Sequence, residues 1–68
     1  MFIICQVDQD TRKPVSFWSG SSYVEDLQLA KVYDSSEFVR EDVGNFQRQN
    51  YEIEFRILKV SRHIEIVG

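Results

Sequence analysis

The chain has 68 residues, enough for one domain, and a domain this short buries only about 60% of the surface its unfolded form exposes. Hydrophobic residues make up 43% and charged residues 28%, which suits a globular fold, excludes a disordered chain and leaves no room for a separate substrate domain. Eleven acids against eight bases give a formal net charge of −3, a balance that argues against nucleic-acid binding as the main activity.

Phe2 to Val7 is rich in strand formers. Ile3, Cys5 and Val7 fall on one face and Phe2 and Ile4 on the other, so an interior strand is expected, or an edge that a partner covers. The apolar run is too short for the hydrophobic region of a signal peptide, and no stretch nears the length that spans a bilayer. With Cys5 as the only cysteine, no internal disulfide can form. The expectation is a complete cytoplasmic protein that begins directly in a strand.

Asp8 to Pro14 is polar and reads as the loop of a β-hairpin. Val15 to Trp18 returns as a second strand, with Val15 and Phe17 on one face and Trp18 on the other. Ser19-Gly20-Ser21-Ser22 breaks the pattern. Ser22 and Glu25 have capping-box spacing, which favours a short helical turn over 23–28, although Leu27 and Leu29 also alternate as in an extended segment. A third strand is expected over 29–33.

Asp34-Ser35-Ser36-Glu37 is a helix start, with Asp34, Ser35 or Ser36 as the cap. Val39, Val43 and Phe46 then recur at helical spacing with Phe38 alongside, and Gln49-Asn50 ends the helix. Gly44 weakens its middle by about 1 kcal/mol relative to Ala. Tyr51, Ile53, Phe55 and Ile57 alternate with Glu52, Glu54 and Arg56, a strand signal. The apolar phase then moves to Leu58 and Val60 and continues at Ile64 and Ile66, which predicts a β-bulge near Ile57-Leu58. Ser61-Arg62-His63 is either a tight turn before a last strand, His63 to Val67, or part of one long bent strand. The expected fold class is α+β: an antiparallel sheet of four to five strands with one helix on one face, in the order β-β-short turn-β-α-β(-β).

No constellation of residues signals catalysis, a cofactor or a metal. His63 is the only histidine and no nucleophile motif accompanies it. Cys5 lies on an apolar face away from basic neighbours, so a packing role is expected. Asp8-Gln9-Asp10 resembles the start of a calcium loop but lacks the later glycine and glutamate. Glu52 and Glu54 project from one face about 7 Å apart, as a solvated strand face would place them. The aromatic residues carry more information. Phe17, Phe38, Phe46 and Phe55 fall on core phases, whereas Trp18, Tyr23, Tyr33 and Tyr51 lie near loops. Aromatic side chains are over-represented at interface hot spots. The expected contact surface is therefore Trp18, Tyr23, Tyr33 and Tyr51 with Glu52 and Glu54.

Leu27-Gln28-Leu29-Ala30-Lys31-Val32-Tyr33-Asp34-Ser35-Ser36-Glu37-Phe38, followed by Tyr51-Glu52-Ile53, resembles segments of small orphan bacteriophage proteins. In those, an aromatic-ended hairpin precedes an Ala-Lys-Val-aromatic strand, a serine-rich cap, a helix and an acidic closing strand. The helix here lacks the alanines often found at such starts. The resemblance implies a non-enzymatic inhibitor or modulator, of the anti-CRISPR or other anti-defence type, that binds a host or defence-system protein in the host cytoplasm. Two alternatives stand beside it. One is a role at nucleic acid, by direct binding or by polyanion mimicry through Asp26, Asp34, Glu37, Glu41 and Asp42. The other is a homodimer joined through strand edges.

Overall fold

The computed structural model describes residues 1–61, and within them the chain forms four strands, one α-helix and one 3-10 turn. Strands β1 (Phe2–Val7), β2 (Pro14–Trp18), β3 (Tyr23–Val24) and β4 (Glu54–Lys59) make one antiparallel sheet in the order β3-β2-β1-β4. Helix α1 (Ser36–Gln49) packs across one face. The expected α+β class with a helix on an antiparallel sheet is therefore the fold. No helix among the described residues is long and apolar enough to cross a membrane. The expected last strand, His63 to Val67, lies outside the described residues, as do Arg62 and His63, on which the choice between a turn and a bent strand rests.

Strand β1 is interior because both of its faces are apolar. Ile3, Cys5 and Val7 pack with Phe17, Ala30 and Val60 on one side of the sheet. Ile4 packs with Tyr33, Val39 and Phe55 on the other, under α1. Ile3, Ile4, Cys5 and Val39 are fully buried. Covering two faces with so short a chain requires a third layer. It comes from the segment after β3, where Leu27, Ala30 and Val32 cover the face that α1 leaves open.

That third layer replaces the third strand expected over 29–33. The short turn and the third strand also exchange order: β3 is the two-residue strand Tyr23–Val24, and the 3-10 turn Leu27–Leu29 follows it. Ser22 and Glu25 do not form the expected capping box. Asp26 caps the turn instead, accepting from Gln28 N–H at 2.9 Å. The Ser19–Ser22 loop closes on itself, with Ser19 N–H donating to Ser22 O at 2.9 Å and Gly20 at φ +106°, a region that glycine reaches without strain. Only Tyr33 of the expected strand is bridged, exchanging two backbone hydrogen bonds with Phe2 at 2.7 and 2.8 Å. Lys31 N–H donates to Trp18 O at 2.8 Å, so 31–33 runs beside the start of β1 just where β2 ends.

The bulge expected near Ile57-Leu58 is absent. β1 and β4 pair in unbroken register from Phe2↔Lys59 to Val7↔Glu54. The apolar phase changes along β4 because the strand is covered on both faces: Phe55 and Ile57 meet the helix layer, Leu58 and Val60 the opposite one. A change of phase implies an irregularity only where one face is buried. The irregularity lies instead between β1 and β2, where Gln6↔Ser16 is followed by Val7↔Pro14. Val15 is the extra residue, and it turns outward to 50% exposure rather than sharing the face of Phe17.

Ser35 caps α1, its hydroxyl accepting from Glu37 N–H at 3.2 Å. Val39, Val43 and Phe46 meet the sheet as their spacing predicts. Phe38 does not: it is 66% exposed. At about 100° per residue it lies about 100° off the centre of the Val39-Val43-Phe46 face. The helix ends at Gln49, with Asn50 N–H donating to Phe46 O at 2.9 Å. Gln47 then fixes the following turn, its Nε2 donating to Ile53 O at 2.7 Å. That turn delays β4 until Glu54, so Tyr51 is not a strand residue and stands 81% exposed.

Candidate protein-docking groove

The six residues expected to share one contact surface separate into four places. Trp18 and Tyr23 enter an aromatic cluster beneath α1, with ring centroids 5.1 Å apart. Phe46 joins them at 4.9 and 6.1 Å, and Phe55 lies 6.0 Å from Tyr23 and 5.9 Å from Phe46. These separations and tilts are those that aromatic quadrupoles favour. Trp18 and Tyr23 thus hold the helix to the sheet.

Tyr51 and Glu52 belong to the turn after α1, where 49–53 enclose a shallow hollow of about 230 Å³. The Glu52 carbonyl accepts from Gln9 Nε2 at 3.0 Å, which ties this turn to the β1–β2 hairpin loop. Glu54 stands apart from Glu52, held by Arg12 and Arg56 at 2.9 Å each. Its carboxyl is raised by desolvation, but the hydrogen bonds and charges of Arg56 and Arg12 outweigh this and leave it below its ordinary value. Asp8, read as the start of a calcium-type loop, closes the hairpin turn instead. Its Oδ1 accepts from the N–H groups of Asp10 and Thr11 at 2.7 and 3.1 Å. Arg12 takes φ 63° to complete that turn. Cys5 is buried, and desolvation raises its thiol pKa despite the backbone and charge of Arg56, which suits packing rather than attack.

Tyr33 leads to the candidate site. It is 6% exposed, and its hydroxyl donates to Asp42 Oδ2 at 2.6 Å, joining the 31–33 segment to the second turn of α1. Burial first, and the adjacent Asp42 carboxylate second, push its phenol pKa far above the ordinary value. Lys31 Nζ lies 4.8 Å from the Tyr33 ring centroid, within cation–π range. Above this floor runs an open groove of about 500 Å³, walled by residues 31–35 on one side and by Phe38 and Asp42 on the other. Exposed Phe38 forms part of its lining.

The charge around the groove is predominantly negative. Asp34 and Asp42 line it, and Glu37 and Glu41 flank Phe38 along the helix, against the single ammonium of Lys31. Arg40 lies about 160° around the helix axis from Phe38. The ion pairs among the described residues, Arg12–Glu54 and Arg56–Glu54, use none of these four carboxylates. Glu37 also favours the helix start, where the backbone N–H groups present positive charge. Of this site the sequence marks Tyr33 as a contact residue, and Asp34, Glu37, Glu41 and Asp42 as acids of the polyanion-mimic alternative. The signal for Phe38 was its position one residue before the centre of the apolar stripe.

No family model, no curated protein and no solved structure matches this chain.

Proposed function

We propose that this chain is a small non-enzymatic binding protein that docks on a protein partner through the groove beside Phe38. One observation carries the reading: a phenylalanine that is 66% exposed stands at a groove floored by a buried tyrosine. Phenylalanine is a poorer helix former than alanine, so at this exposure it adds little to the helix itself. The Tyr33–Asp42 hydrogen bond fixes both walls of the groove, so a partner would meet a preformed surface and lose little entropy in ordering it. The resemblance to small bacteriophage proteins supports a finer reading, an inhibitor or modulator that acts in the host cytoplasm on a host enzyme or defence complex.

The test is site-specific photo-crosslinking with the full chain. A photo-reactive amino acid is placed in turn at positions 38, 15 and 51, three exposed apolar or aromatic sites on different parts of the surface. A protein adduct that forms from position 38 and not from 15 or 51 is the expected result. An adduct from 15 or 51 alone moves the site elsewhere. An adduct of two copies of this chain replaces the reading with self-association, and crosslinking to nucleic acid replaces it with the polynucleotide alternative.

A further inference from the structure

Resting on the docking reading above, we infer that the partner presents arginine: a guanidinium stacked on the Phe38 ring and bonded to the carboxylates around it. Charge complementarity selects this chemistry. Asp34 and Asp42 line the groove with exposed Phe38, Glu37 and Glu41 lie within one turn of it on the helix, against one lining ammonium, Lys31, and none of the four carboxylates is ion-paired among the described residues. Asp42 spends one oxygen, Oδ2, on the Tyr33 hydroxyl and is held in place by it. Its Oδ1 makes no hydrogen bond among the described residues. A guanidinium is planar, stacks on aromatic rings and donates in a fork that matches carboxylates. It is also more weakly hydrated than an ammonium, so its transfer to a partly dry groove is easier. The same carboxylates repel phosphate, which makes the groove unfit for a polynucleotide.

The probe is a short synthetic peptide of alternating arginine and glycine, titrated into the isotope-labelled full chain while backbone amide shifts are followed. Its counterparts are the same peptide with citrulline for each arginine, a leucine–glycine peptide and a single-stranded oligonucleotide. The arginine peptide is expected to give saturable shifts centred on residues 31–42. Affinity should fall about fivefold or more with citrulline, and by a similar factor in Phe38→Ala. The double variant Asp34→Asn, Glu41→Gln should weaken binding comparably. Neither carboxylate makes a hydrogen bond or ion pair among the described residues, and thermal melts confirm that each variant folds.

Equal binding of the citrulline or leucine peptide at these amides refutes the arginine chemistry while leaving the groove a docking site. Shifts scattered over acidic positions such as Asp8 and Asp10, unchanged by Phe38→Ala, refute it as non-specific attraction. Oligonucleotide binding at 31–42 refutes it in favour of a polynucleotide. No peptide moving these amides overturns both the chemistry and the docking reading.

Discussion

Truncating Phe46 to alanine should bring the domain close to unfolding, and the same change at Phe38 should leave it intact. The two residues share one helix and one chemistry but differ in surroundings. Phe46 lies 4.9 Å from Trp18, 5.9 Å from Phe55 and 6.1 Å from Tyr23, so its loss opens the centre of the layer joining α1 to the sheet. Core Phe→Ala changes cost about 3–5 kcal/mol, and the half-burial of Phe46 places it near the lower end. At roughly 0.05–0.15 kcal/mol per residue, a chain this size has only about 3–10 kcal/mol in all. A loss of about 3 kcal/mol lowers the melting temperature by about 12–24 °C. Phe38, at 66% exposure, has little packing to lose and gains helix propensity as alanine, so its change stays within about 0.5 kcal/mol. Thermal unfolding followed by far-UV circular dichroism and Trp18 fluorescence reads both variants. A Phe46→Ala melt within about 5 °C of the parent, or a Phe38→Ala melt lowered as far, would refute the assignment of core and groove.

Gly44 sits inside α1, and a Cβ built there meets only the flexible Arg48 guanidinium at 3.7 Å. Gly44→Ala should therefore stabilise by about 0.5–1 kcal/mol, seen as a melt several degrees higher; a lower melt would contradict it. The raised Tyr33 phenol has a pH consequence. An unfolded tyrosine ionises near pH 10, so above that pH the unfolded state releases a proton that the folded state keeps. The stability contributed is complete below about pH 10 and is lost as pH rises toward the folded value. Tyr33→Phe should lower stability at neutral pH by about 1–2 kcal/mol and flatten the alkaline limb of a denaturation series. An unchanged limb would show that Tyr33 does not govern it. The Cys5 thiol should resist a thiol reagent in the native state and react fully in denaturant, since it is completely buried. Rapid native labelling would show that β1 is not the central strand.

The local elements were readable where one physical preference dominated. The apolar residues on both faces of Phe2 to Val7 marked an interior strand, Ser35 was among the expected caps, and the Val39-Val43-Phe46 spacing gave the helix and its buried side. The site was far less legible. The sequence marks Tyr33 only as one of six contacts that the fold separates and Asp34, Glu37, Glu41 and Asp42 only as acids of the polyanion-mimic alternative, and its helical spacing places Phe38 in the core.

Composition and periodicity determine which residues seek burial and how often, and so set the class: one helix on an antiparallel sheet. They do not determine what covers each face. The third layer made by Leu27, Ala30 and Val32 came from the tertiary structure alone, and it turned an apparent bulge in β4 into a straight strand buried on alternate sides. Likewise Phe38 stands in solvent on the edge of the helix face, and packing against Phe46 and Phe55 draws Trp18 and Tyr23 inward. Burial depends on which surfaces meet across the fold, and residues as distant in sequence as Tyr33 and Asp42, or Trp18 and Phe46, become neighbours only when the chain has closed.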